Sequence, residues 1–274
     1  MSTNKPNLYI QDVEIKLPPT VIDVIVILDQ SGSMKSMGKE PVQSINIFMH
    51  EQKINSKDDG ATFSLVTFNK KHNMIIDHVP IIKSVDLEEN LYNPFGLTGL
   101  NDAVCITLEK ELEREKPDNK IVLIITDGEE NSSELYSKFD MREKIKYCQE
   151  KHNWKFMFIG ANIDTIYTGE KMNLKSEHCS NFSPDDTGDL LQMCRQTSLN
   201  IAEFRRSVTE GLEPPKLVTA NSNSFRLSNK LSNKLSNKLS DKILPLKRSV
   251  ALSEKEMFLD GIMPVKLERM MTEY

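Results

Sequence analysis

The sequence has little that would staple, export or anchor it. Four cysteines (Cys105, Cys148, Cys179 and Cys194) are spread over 274 residues, with no C-x-x-C pair and no histidine at ligand spacing. That excludes a disulfide framework and a zinc site, and the cysteines are expected as buried, reduced thiols. No two of the five histidines stand four apart, so they read as ordinary surface or core residues. No apolar run approaches the roughly 20 residues that span a bilayer. The longest are Val24 to Leu28 and Ile121 to Ile125. The opening MSTNKPNLYIQDVEIK lacks the apolar segment of a secretory leader. The expectation is a soluble, cytoplasmic chain without a membrane span. A basic excess is also missing: 35 Lys and Arg face 40 Asp and Glu, a net charge of −5. Nucleic acid is therefore not an expected partner.

Several catalytic signatures are absent too. Ser33 lacks the flanking glycines of a G-x-S-x-G elbow and has no histidine nearby. Gly32 and Gly38 make neither a G-x-G-x-x-G nor a G-x-x-x-x-G-K phosphate loop.

What is present is alternation. VIDVIVIL (Val21 to Leu28) and KIVLIITD (Lys120 to Asp127) are apolar almost throughout, as strands buried on both faces of a parallel sheet must be. ATFSLVTF (Ala61 to Phe68) and MIIDHVPI, joined by NKKHN, read as an antiparallel edge hairpin. WKFMFIGA (Trp154 to Ala161) and HCSNF near residue 180 read as further strands. Helical spacing links Val42, Ile45 and Met49, then Val104, Leu108 and Leu112, then Met141, Ile145 and Cys148, and finally Leu190 through Val208. Ser137 and Asp140 form a capping box for the third of these. Ser183 with Pro184 is the expected start of the last. Strands alternating with helices predict a Rossmann-like three-layer α/β/α sandwich, its sheet mostly parallel with one antiparallel edge strand.

The expected organisation is an arm over 1–20, a domain over 21–210 and an extension over 211–274. Pro214-Pro215 marks the change of character. Residues 227–242 repeat LSNK almost without variation. A period of four places Leu227, Leu231, Leu235 and Leu239 on one slowly drifting helical stripe flanked by lysines, a basic surface for a partner. The other reading is a low-complexity expansion, favoured by the poor helix propensity of Ser and Asn. Richness in Lys, Asn and Ile, with this slippage-like repeat, points to an AT-rich genome of microbial or viral origin.

Ligands of an open parallel sheet bind beyond the carboxyl ends of its strands, where the strand order reverses. The first buried strand ends in Asp29-Gln30-Ser31-Gly32-Ser33, and the second ends in Thr126-Asp127-Gly128. Between them Gly96-Leu97-Thr98-Gly99 puts a hydroxyl just before a helix. Asp29, Ser31, Ser33, Thr98 and Asp127 are all hard oxygen donors with two formal charges, a set that suits Mg2+ with its six oxygens at about 2.0–2.1 Å. Mn2+ is also compatible. Asp102 reads either as an outer acceptor for these hydroxyls or as a first-turn helix acid. Glu129, Glu130 and Asn131 beside Asp127 read either as residues that tune specificity or as a solvated acidic loop, the second reading being favoured.

D-x-S-x-S, then G-x-T-x-L, then T-D-G after a buried strand, in this order over roughly residues 20–210, resembles the von Willebrand factor type A domain and its metal-ion-dependent adhesion site. Phe158-Ile159-Gly160-Ala161-Asn162-x-Asp164 is similar to the small intracellular and phage-type members. The resemblance implies that Asp29, Ser31, Ser33 and Thr98 hold the ion, that Asp127 acts directly or through water, and that a partner's Asp or Glu completes the coordination. The expected function is a non-enzymatic protein interaction module. Two alternatives stand beside it. A metal-dependent phosphatase-like hydrolase would need a second acid where Ser31 stands. An assembly protein would act through its repeat tail.

Overall fold

The computed structural model describes residues 21–55, 60–114, 119–161 and 164–219. The N-terminal arm and the LSNK repeat lie outside the described residues. Six strands form one sheet: β1 (Ile22–Asp29), β2 (Thr62–Phe68), β3 (His72–Pro80), β4 (Asn119–Thr126), β5 (Lys155–Gly160) and β6 (Cys179–Asn181), in the order β3-β2-β1-β4-β5-β6. All neighbours are parallel except β2 and β3. The expected antiparallel edge strand is therefore β3. The helices are α1 (Glu40–Ile54), α2 (Leu100–Leu112), α3 (Lys138–His152), α4 (Thr165–Lys171) and α5 (Asp189–Thr209).

Every residue of β1 is buried. Alternate side chains serve two cores because successive residues of a strand point to opposite faces. Val24, Val26 and Leu28 join Ile45, Phe48, Leu190 and Ile201 beneath α1 and α5. Ile25 and Ile27 join Val104, Leu108, Met141 and Ile145 beneath α2 and α3. Each of the two apolar strands thus feeds both layers, which is why neither shows a polar alternate position along its centre. The four cysteines are buried free thiols, as expected.

One local expectation changes, and one helix is new. The last helix does not start at Ser183. Its N-cap is Gly188 at φ 91°, a left-handed conformation that glycine adopts at little cost. Before it the chain turns, with Ser183 N–H donating to Asp189 Oδ2 at 2.8 Å. The short helix α4 has no apolar period in its seven residues to announce it, and it is positioned by Asp164, whose Oδ1 accepts from the Tyr167 N–H at 3.0 Å.

The chain also stays on the domain past the expected edge near residue 210. Leu217 is 7% exposed and belongs to the α1–α5 core. Thr219 donates its N–H to Glu177 O at 3.2 Å and accepts from Ser180 Oγ at 2.6 Å. We expect Leu217→Ala in the full chain to lower stability by about 2 kcal/mol, the lower end for a buried leucine. A denaturation midpoint unchanged by this substitution would return the domain edge to residue 210.

Candidate metal centre

β1 and β4 are adjacent, while the chain leaves β1 toward β2 on the other side. Their carboxyl ends therefore flank the point where the strand order reverses, and both ends carry an aspartate. Asp29 closes β1 and is fully buried. Its Oδ1 accepts the Ser31 N–H at 2.6 Å, and its Oδ2 accepts the Thr126 hydroxyl at 2.5 Å. The buried Tyr92 hydroxyl donates to the Asp29 carbonyl at 2.6 Å. Burial pushes the Asp29 carboxyl up to about 6, the hydrogen bonds from Thr126 and Ser31 oppose that rise, and the Asp127 charge adds to it.

From Asp29 a chain of oxygens crosses to β4. Ser31 Oγ lies 3.0 Å from Ser33 Oγ, and Ser33 Oγ donates to Asp127 Oδ1 at 2.5 Å. Burial raises the Asp127 carboxyl as well, against the Ser33 hydrogen bond. Gly32 between the serines has ordinary right-handed angles, φ −63° and ψ −28°. Its lack of a side chain serves close approach instead of conformational freedom. Its N–H reaches Gly96 O at 3.0 Å, and a Cβ there would stand 3.2 Å from that oxygen.

Thr98 joins from the third segment. A Cβ built on Gly128 would lie 3.5 Å from Thr98 Oγ1 and 3.6 Å from Ser33 Oγ. The bare glycine of T-D-G thus borders both hydroxyls and keeps a side chain off them. The structure brings Asp29, Ser31, Ser33 and Asp127 together through hydrogen bonds, and sets Thr98 with Ser33 around Gly128. Asp29, Ser31, Thr98 and Asp127 are buried, whereas Ser33 is exposed.

The loop after β4 does more than the acidic, solvated stretch expected of it. Asn131 Oδ1 accepts the Thr98 N–H at 2.9 Å, and Asn131 N–H returns a bond to Thr98 O at 3.0 Å. Glu130 accepts from the N–H groups of Asn101, Ser132 and Ser133 and from the Ser133 hydroxyl, at 2.7–2.9 Å. Asp102 accepts from the N–H groups of Glu134, Leu135 and Tyr136. Its carboxylate therefore holds the 134–136 backbone and accepts from none of the converging hydroxyls. No such bonding role was expected of Glu130 and Asn131, and neither the Thr126 hydroxyl nor Tyr92 was singled out from the sequence. The run E-E-N-S-S directly after T-D-G was the available signal, since acids and amides followed by serines bond the local backbone.

Among the described residues, no three His, Cys, Asp or Glu side chains gather around one point. A cation held at this sheet edge must draw on hydroxyls as well as carboxylates, and the residues present fit that demand. The donors are all oxygen, two are carboxylates, and the hydroxyls are neutral, as a hard dication prefers.

A family model described as von Willebrand factor type A domain matches residues 23–196. A comparison with curated proteins finds no match. Similar solved structures include proximal thread matrix protein 1 from the mussel byssus with zinc occupied MIDAS motif, 16% identical over 66% of this chain and 46% of that one, TM-score 0.48. A von Willebrand factor type A structure from Catenulispora acidiphila is 13% identical over 66% of this chain and 42% of that one, TM-score 0.46. The manganese-loaded TRAP protein of Plasmodium vivax is 17% identical over 64% of this chain and 74% of its own, TM-score 0.44. The chain spans less than half the length of the first two.

The raised Asp29 carboxyl has a sign that can be measured. Folding strengthens proton binding here, because the folded value is about 6 against the ordinary 3.8. In EDTA this group's contribution to stability is present below the ordinary value and is lost as pH rises through about 6. Asp29→Asn, which carries no charge at any pH, is expected to be at least as stable as the native chain above that window. Its advantage should shrink as the pH falls toward 4. Melting curves of both proteins in EDTA across this range check it, and a stability difference that does not vary with pH would contradict it.

Proposed function

This chain belongs to the von Willebrand factor type A domain family, and we propose that it is a non-enzymatic interaction module that grips an acidic residue of a protein partner through a divalent ion, Mg2+ in the first instance. The observation that carries this reading is the oxygen chain from Asp29 through Ser31 and Ser33 to Asp127, on an edge of the sheet where Ser33 is exposed. Asp29 and Asp127 would supply the negative charge, and Ser31, Ser33 and Thr98 would supply neutral donors. A bound dication with only two carboxylates around it retains an affinity for one more anionic oxygen from outside.

The surroundings support a protein as the source of that oxygen. Phe95, Leu97 and Leu135 are 56%, 55% and 70% exposed. All three sit on the loops that carry or clamp Thr98, so apolar surface rims the same edge. Exposed apolar residues grouped around a polar centre are a feature of association surfaces. The side chains of Glu130, Asn131 and Asp102 accept backbone N–H groups and so keep those loops in one arrangement, which lowers the cost of ordering them on binding.

Asp29→Ala is expected to weaken Mg2+ binding by more than the roughly 10–100-fold that loss of an outer partner of a metal ligand costs. Titration calorimetry with Mg2+ alone measures this. In parallel, protein captured from lysate on the immobilised full chain in Mg2+ should elute with EDTA, and should be absent from the Asp29→Ala column. Undiminished Mg2+ affinity in the variant would remove the metal reading, and capture indifferent to EDTA would remove the mode of recognition.

A further inference from the structure

Beside the metal centre lies a cavity of about 160 Å³ bounded by the start of α2, the loop after β4, the start of α3 and α4. Gly128 is part of its wall, and the same glycine borders Thr98 Oγ1 and Ser33 Oγ. The two sites therefore share a residue. A cavity this small lies below the roughly 300–1,000 Å³ of small-molecule sites and has room for one side chain. Leu100, Met141 and Met172 in its lining are buried, and Lys138 and Lys171 line it as well.

The lysines are set against each other. Burial and then the adjacent Lys171 ammonium hold Lys138 below the usual lysine range. Lys171 Nζ is fixed 3.5 Å from the centre of the Tyr167 ring. Three carboxylates share the wall, Glu129, Glu130 and Asp164. Glu130 is engaged by the backbone of α2 and its own loop, and Asp164 caps α4. Neither lysine forms an ion pair among the described residues. Asn101 also belongs to the wall but is 6% exposed, with its Oδ1 closed off from solvent.

We propose that this cavity is a second recognition site for the same partner segment, with Lys138 and Lys171 binding a second partner carboxylate. The proposal rests on the metal-mediated reading for the first carboxylate. An anion between two like charges relieves their repulsion, so the site favours the ligand over its own unliganded arrangement. A carboxylate suits it better than a phosphate. With Glu129, Glu130 and Asp164 on the wall, a singly charged group meets less repulsion, and no arginine is present among the lining residues to grip phosphate in two places. The partner class is thus a peptide segment with two acidic side chains at a fixed separation.

The probe is a random-peptide display library panned on the full chain in Mg2+ and eluted with EDTA. Peptides released from the native chain are expected to carry two acidic positions at constant spacing. The Lys138→Ala, Lys171→Ala double variant should select peptides with one. A two-acid peptide should bind that variant about tenfold more weakly, close to 1.4 kcal/mol, while its one-acid counterpart binds both proteins alike. The charge reversal Lys138→Glu, Lys171→Glu should turn the second position basic. EDTA-released peptides with a single acidic position on the native chain, or two-acid peptides that bind the double variant equally, would overturn this site and leave the metal reading standing. An absence of EDTA-released peptides would overturn both. Inorganic phosphate that raises the melting temperature of the native chain but not of the double variant would assign the cavity to phosphate and overturn the carboxylate.

Discussion

Asp29 is a carboxylate at the end of a strand whose every residue is buried, and much of the functional edge follows from how that charge is satisfied. Its two oxygens and its carbonyl are bonded by three different parts of the chain: the Ser31 backbone, the Thr126 hydroxyl of the next strand and the Tyr92 hydroxyl of the long connection after β3. An unsatisfied buried carboxylate would cost several kcal/mol or lose its charge. The loops therefore converge on it, and the convergence places Ser33 against Asp127 and brings Gly96 onto Gly32. The same burial that makes the site compact also raises the Asp29 carboxyl toward neutrality, so the proposed cation and a proton compete for one group.

The opposite end of the same strands answers to a related constraint with a different solution. Asp23 and Lys120 are register neighbours on β1 and β4, and both are buried. Lys120 Nζ is 2.8 Å from Glu111 Oε2 and 3.5 Å from Asp23 Oδ2, while Asp23 Oδ1 accepts the Thr62 N–H at 2.9 Å. With Arg114 Nε 3.2 Å from Glu111 Oε1, two acids and two bases balance there within the chain, so the charges are internal. Buried groups of this kind add little net stability but penalise other registers, because a slipped strand would leave each charge unpaired. At the functional edge, among the described residues, no lysine pairs with Asp29 or Asp127. That asymmetry between the two ends is consistent with a cation from outside at one end only.

The loops around the centre show how polar residues become structural once the fold exists. Glu130, Asn131 and Asp102 all accept backbone N–H groups, and between them they tie the loop after β4 to the start of α2. Thr98 owes its place to that clamp, having no apolar side chain of its own to bury. The neighbouring Lys138 and Lys171 stand outside the clamp, on the wall of the adjacent cavity.

How much of this was legible beforehand depends on the range of the interaction. The six strands, the antiparallel edge and the capping box at Ser137 follow from short-range periodicity and from local hydrogen bonding, which act over a few residues and leave a direct trace in the sequence. The proposed donors Asp29, Ser31, Ser33, Thr98 and Asp127 were legible because strand ends can be read, and ligand sites of parallel sheets lie beyond them. The role of Gly32, the start of α5 at Gly188, the anchoring of Leu217 and the partners of Glu130 and Asp102 were not. Each depends on a contact between segments far apart in the chain, and an acid that will accept three backbone N–H groups looks the same in sequence as one that faces water. Composition and order set which residues arrive at the sheet edge, whereas only tertiary packing decides which of their polar groups are already satisfied there and which remain to bind something else, because satisfaction is a property of distance in space and not of position along the chain.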